Sequence, residues 1–228
     1  MRTAIRMWSV VVLALCLAAA SLTQGVAFAS PQPLSPKPPA DATPASPPGD
    51  MLADERSAVH AVDTFWKDTL KDYQSPEVRG GYTGTNGPSC AGKPAVQGNA
   101  FYCKPEDYLA WDQGLMTLGY QRIGNAWVYL IIAHEWGHAI QARVKKSLVS
   151  QAAELQADCL AGAALTGAVK KRLLGAEPSD NEQIEQTLTI SADKSAWTNT
   201  RDHGNARQRI DAYKLGQRSG VDGCFGTN

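Results

Sequence analysis

The sequence has no excess of either charge, because its 22 basic residues equal its 22 acidic ones. Without a basic excess, nothing electrostatic points to nucleic acid or an anionic membrane surface as a partner. The sequence also has no C-x-x-C pair, which argues against a structural zinc ribbon. Its hydrophobic content of 43% is that of a globular protein and is too low for one that crosses a membrane many times.

The first 29 residues have the pattern of an export signal. Arg2 and Arg6 form a short basic region, and an apolar run from Val10 to Ala20 follows. That run is too short to span a bilayer comfortably, and an A-x-A cleavage pattern stands at Ala27–Ala29. We therefore expect a secreted protein or one of the cell envelope, with no membrane contact unless the signal stays uncleaved as an anchor.

Residues 30–50 are expected to form a Pro-rich linker, because Pro31 to Asp50 contains eight of the 13 prolines. Prolines at this density favour an extended, semi-rigid spacer without a core. The folded domain is therefore expected over residues 51–228.

The spacing of apolar residues predicts that this domain is mainly α, of the α+β type with a small sheet. Residues 76–105 are rich in glycine and proline and are predicted to be a loop. Ser179 and Glu182 have the spacing of a capping box that opens a helix. The other predicted elements are helices over 51–71, 126–144, 151–169 and 206–218, with Gly220 as a stop after the last, and a short strand over 108–111.

Four cysteines remain if Cys16 is lost with the signal, and they allow three pairings. Cys90 and Cys103 flank a glycine- and proline-rich stretch that needs closing. Pairing them leaves Cys159 for Cys224. Two disulfides are consistent with an exported protein.

An apolar helix is interrupted by His134, Glu135 and His138. Residues four apart lie on one face of a helix, so both imidazoles can reach one Zn²⁺ ion. A catalytic zinc site uses three protein ligands and leaves a fourth position to water, whose proton Glu135 can take. The alternative is a pair of core histidines, which would bury polar groups at a cost of about 1–3 kcal/mol each without partners.

The third ligand distinguishes the zinc peptidase families. A metzincin would carry glycine and histidine where this chain has Gln141 and Val144, so that assignment fails. Glu154 follows the second histidine by 16 residues, and Asp158 shares its helical face. Glu154 is the predicted third ligand, and Asp158 is predicted to accept a hydrogen bond from a ligand histidine. An ordinary solvated acidic face is the alternative.

These motifs resemble those of the bacterial neutral zinc metallopeptidase family, whose ligand set is gluzincin-like. The resemblance covers most of the chain after the linker and rests on Phe101-Tyr102-Cys103 with Pro105, Ala133-His134-Glu135 with Gly137-His138 and Gln141, Glu154 to Cys159, His203-Gly204, Gln208-Arg209 and Cys224. It implies a helical, zincin-like domain, zinc held by His134, His138 and Glu154, and peptide hydrolysis. Ala139 departs from the family, which often has histidine at a position that is not a ligand.

His203 precedes Gly204 just before the last predicted helix. A histidine on a loop beside the cleft can donate a hydrogen bond to the oxyanion of a tetrahedral intermediate. A structural role at the start of the helix is the alternative.

The sequence thus predicts a hydrolase, a zinc metalloendopeptidase that acts on a peptide or protein. Glu135 would remove a proton from zinc-bound water and return it to the leaving amine. Two alternatives stay open. One is a non-catalytic exported binding module stabilised by zinc, which would have no use for Glu135. The other is an amidase with the same site that acts on cell-wall peptide.

Overall fold

A computed structural model describes residues 51–195 and 202–226. The predicted signal and linker lie outside these ranges. Within them the chain forms the following elements in order: α1 (Met51–Thr69), β1 (Glu77–Tyr82), β2 (Ala100–Cys103), β3 (Tyr108–Asp112), α2 (Gln113–Arg122), α3 (Ala126–Arg143), a 3-10 turn (Lys146–Leu148), α4 (Ala153–Lys170), α5 (Asp180–Ile190) and α6 (Ala206–Cys224). The prediction of a mainly helical domain with a small sheet is confirmed.

Helix α3 is the centre of the core, because it is apolar around most of its circumference. Its buried residues include Trp127, Ile132 and Trp136, and it packs against both α1 and α4. Apolar surface on nearly all sides of a helix requires neighbours on all sides. None of the described helices is both long and apolar enough to span a membrane.

Helices α4 and α6 pack so closely that glycine is required between them. A Cβ added to Gly162 would collide with the carbonyl of Tyr213, and one added to Gly216 would collide with the carbonyl of Cys159. The predicted disulfide Cys159–Cys224 joins the same two helices. The predicted disulfide Cys90–Cys103 is also present and closes the loop before β2.

The prediction of a loop over residues 76–105 is wrong in part, because β1 and β2 lie inside it. The strand order is β1-β3-β2, with β1 parallel and β2 antiparallel to β3. Only β3 is buried along its whole length, and it was the one strand predicted. Strand β1 contains Gly80 and Gly81 beside a bulge and lacks the apolar pattern of a strand, whereas β2 is only four residues long.

One helix was missed, and two other predictions at helix ends need correction. Helix α2 was not predicted; it starts where the side chain of Asp112 accepts a hydrogen bond from the backbone of Gly114. Ser179 does not form a capping box, because its helical backbone makes no side-chain cap. The capping box stands instead at Asn205 and Gln208, at the start of α6. This helix continues past the predicted stop to Cys224, after a break at Gly220.

Candidate metal centre

Three potential ligand atoms converge between α3 and α4. His134 and His138 stand one turn apart on α3, with their rings edge to face and 4.9 Å between centroids. Glu154, in the first turn of α4, places its Oε2 atom 3.2 Å from Nε2 of His134 and 3.4 Å from Nε2 of His138. The three ligand atoms lie within 4.8 Å of one another, so the group could hold one metal ion.

Gly137 lets the two helices approach closely enough for Glu154 to reach the histidines. A Cβ at this position would lie 2.9 Å from both Cα and the carbonyl oxygen of Ala157 on α4. Real Cβ atoms almost never approach backbone so closely, so a side chain here would push α4 away. The glycine inside the histidine motif therefore sets the distance between the ligand-bearing helices.

Asp158 fixes the far side of the His134 ring. Its Oδ1 atom lies 2.8 Å from Nδ1 of His134, as the sequence predicts, and its side chain is completely buried. Arg209 on α6 donates from Nε to Oδ2 and from Nη2 to Oδ1, both at 2.8 Å. Burial favours the neutral acid, but the hydrogen bonds and charges of Arg209 and His134 outweigh it and lower the pKa of Asp158.

His138 is oriented by a second chain of contacts. Its Nδ1 atom lies 3.0 Å from Oε1 of Gln141, whose amide nitrogen donates to the carbonyl of Ala153 at 2.7 Å. When Nδ1 donates to Gln141, Nε2 keeps its lone pair for a metal. Each histidine thus has a partner on one nitrogen and directs the other towards Glu154.

The histidines and carboxylates of the centre stabilise one another's charged forms. Burial lowers the pKa of His134, but the charge and hydrogen bond of Asp158, with the hydrogen bond of Glu154, raise it to about 10. Burial likewise disfavours ionised Glu154, yet its hydrogen bonds to the two histidines lower its pKa. Arg209 pairs with Asp158, so the charge of this buried carboxylate is compensated from α6.

The centre lies in an open cleft of about 720 Å³. His134, Glu135, His138 and Glu154 all line it. Residues 100–102 of edge strand β2 also line the cleft, as does Lys104 after the strand.

His203 also lines the cleft, on the loop before α6. Its side chain is half exposed, with Nε2 at 3.9 Å from Oε2 of Glu154. The loop is held by Asp193, whose Oδ2 atom accepts from the backbone nitrogens of His203 and Gly204 at 2.7 and 3.2 Å. The structure therefore brings His203 beside the predicted ligands, and no predicted site residue lies elsewhere.

Sequence reasoning gave no role to Gln141 and Arg209, which complete the centre. A signal for Arg209 was available, because it shares the buried stripe of α6 with Tyr213 and Gly216 at spacings of four and three. A charged residue on the buried face of an amphipathic helix requires a buried partner. The corresponding signal for Gln141 was its position one turn after His138.

No family model, curated protein or solved structure matches the chain. The family resemblance drawn from the motifs therefore stays a prediction.

Proposed function

We propose that this protein is an exported zinc metallopeptidase with a zincin-like fold. One observation carries the proposal: two imidazoles and a carboxylate meet on an open cleft that Glu135 also lines. Two nitrogen donors and one carboxylate oxygen form a ligand set typical of catalytic zinc. The predicted export signal and the two disulfides support a location outside the cytoplasm.

The donor set fits zinc in number, type and spacing. Three protein ligands leave a fourth position, which in a catalytic site faces the substrate. When bound, zinc lowers the pKa of a coordinated water towards about 7 and polarises a carbonyl group. Asp158 and Gln141 would keep the two imidazoles turned towards the metal ion.

Glu135 acts as the general base in this proposal. It is partly exposed on α3, next to one ligand histidine and three residues before the other, and it lines the cleft. Its carboxylate removes a proton from the attacking water and delivers it to the leaving amine. His203, whose Nε2 atom lies 3.9 Å from Oε2 of Glu154, donates a hydrogen bond to the oxyanion that develops on the scissile carbonyl.

The open cleft supports an enzyme over a binding module that uses zinc only for stability. Structural zinc sites are closed by a fourth side chain and have no use for a neighbouring carboxylate. Among the described residues, the metal-ligating group contains three members and opens on the cleft.

Metal analysis combined with a peptidase assay tests the proposal. The exported, disulfide-bonded chain should contain one zinc per molecule and cleave members of a broad peptide library. A chelator should abolish cleavage, and added zinc should restore it. The control variant Glu182→Gln should keep wild-type zinc content and cleavage, because this exposed carboxylate on α5 does not line the cleft.

Three results would contradict parts of this proposal. If the purified chain contained no zinc, the proposal would lose the metal on which it rests. Zinc without any peptide cleavage would favour the binding module. Cleavage confined to cell-wall peptides would make the protein an amidase of the same mechanism.

A further inference from the structure

Arg209 is buried and charged, yet it does not line the cleft. Arg209 is only 5% exposed and lies in the first turn of α6. An isolated buried charge is costly, so its partners must compensate for the lost hydration. Those partners are Asp158 on one side and Ser191, at the end of α5, on the other.

Arg209 binds the carboxylate of Asp158 in a bidentate manner. Nε and Nη2 of Arg209 each donate to a different carboxylate oxygen at 2.8 Å. A planar guanidinium that binds both oxygens fixes the plane of a carboxylate as well as its position. Because Oδ1 of Asp158 is also the partner of His134, the plane of that carboxylate determines where the His134 ring points.

The contacts with Ser191 extend the same network towards the loop that carries His203. Nη1 of Arg209 donates to the carbonyl oxygen of Ser191 at 2.9 Å and to its hydroxyl at 2.8 Å. Two residues later, Asp193 holds the backbone of His203. One guanidinium therefore connects the histidine on α3 with the segment that anchors the His203 loop.

We infer that Arg209 is a positioning residue of the metal centre, which acts through Asp158 to aim Nε2 of His134 at the metal. The inference rests on the metal site of the proposed function and requires no peptidase activity. Arg209 touches neither the ligand atoms nor the cleft, so its influence on the metal must pass through Asp158.

Zinc affinity measured by competition with a chelator tests this role. Arg209→Met should weaken zinc binding about 10–100-fold, the usual effect of losing a partner behind a ligand. Arg209→Lys keeps the charge but cannot bind both oxygens, so it should recover only part of that loss. Arg207→Met is the matched control. Arg207 stands on the same helix with a side chain that is 91% exposed, and its substitution should leave zinc affinity unchanged.

A double-mutant cycle separates this role from general stabilisation. In an Asp158→Asn background, Arg209→Met should cause little further loss of zinc affinity, because the route from Arg209 to His134 is already broken. The double variant also removes both buried charges, so it remains informative if Arg209→Met alone fails to fold. Cobalt substituted for zinc should show an altered visible absorption spectrum in Arg209→Lys, since that spectrum reports ligand geometry.

If wild type binds zinc, two outcomes would overturn the role of Arg209 and leave the proposed function standing. One is wild-type zinc affinity in Arg209→Met or Arg209→Lys, whatever happens to the melting temperature. The other is an additive cycle, in which Arg209→Met weakens zinc binding equally with Asp158 or Asn at position 158. A wild-type chain that binds no zinc would instead overturn the proposed function together with this inference.

Discussion

The two sides of the cleft are held together in different ways. The helical side, formed by α3, α4 and α6, contains buried charges that are all paired and belongs to the large core. The sheet side contributes Leu109 and Trp111 to that core, and its other face packs on a small separate cluster of five buried residues: Tyr82, Ala95, Cys103, Tyr108 and Ala110. The disulfide of the helical side joins residues 65 apart, whereas that of the sheet side joins residues 13 apart.

This difference assigns a separate task to each side. The ligand atoms and their orienting partners come only from the helical side, where close backbone packing fixes distances. The sheet side provides a wall, and one of its links to α3 is Arg143, which donates to both carboxylate oxygens of Asp107 at 2.8 Å. We therefore expect substitutions on the helical side to change metal binding, and substitutions on the sheet side to change stability or substrate preference.

The largest effect is expected from Glu154→Gln on the helical side. It removes the anionic ligand and should abolish tight zinc binding, together with hydrolysis. Asp158 contacts Arg209 and the far nitrogen of His134 but is not among the three ligands, so Asp158→Asn should weaken zinc binding about 10–100-fold. Chelator competition on the two purified variants measures both. If Glu154→Gln kept full zinc affinity while Asp158→Asn lost it, the two roles would be reversed.

Removal of the disulfides compares the two sides directly. On the chain-entropy account, the pair Cys159→Ser/Cys224→Ser should lose about 4 kcal/mol of unfolding free energy, and Cys90→Ser/Cys103→Ser about 3 kcal/mol. Only the first pair is expected to weaken zinc binding, because it joins α4 to α6. Denaturant unfolding and zinc titration measure these effects. Equal loss of zinc affinity in both pairs would remove the distinction between the sides.

His203→Ala tests whether the loop before α6 takes part in the reaction. Loss of one oxyanion donor costs about 2.7–4 kcal/mol, so kcat should fall roughly 10²–10³-fold. Zinc content and melting temperature should stay near wild type, because the side chain is half exposed and is not among the three ligands. Loss of zinc would make His203 a ligand. A lower melting temperature with unchanged kcat would make it structural.

Gly137→Ala should cost less stability than loss of the Cys159–Cys224 disulfide. The added methyl group meets the backbone of Ala157, and overpacking of this kind costs about 1–3 kcal/mol. Because it separates α3 from α4, it should also weaken zinc binding. Gly175→Ala, where a Cβ meets nothing within 4 Å, should change neither property. Unaltered zinc affinity in Gly137→Ala would show that the helix spacing is not critical.

The ligand positions were predictable because helical spacing places the members of each pair on one face of a helix. His134 and His138 share a face of α3, and Glu154 and Asp158 share a face of α4. The two disulfides were also predictable, since closing the loop from Cys90 to Cys103 determines the second pair. Each of these inferences needs only local geometry or elimination.

The missed features depend on tertiary contacts. Arg209 reaches Asp158 across 51 positions of sequence, so no local pattern reveals the pair. Strand β2 lies at an edge of the sheet and is only four residues long, which leaves too little periodicity to detect. Ser179 has the right spacing for a capping box, but its helical backbone prevents the contact.

The central claim is most directly tested by the rate of peptide hydrolysis per bound zinc in wild type and Glu135→Gln. This variant should keep one zinc per chain and the wild-type melting temperature, because Glu135 is not among the three ligands. Its turnover should fall by roughly 10²–10⁴, the scale of general base catalysis. Turnover equal to that of wild type would contradict the proposed mechanism.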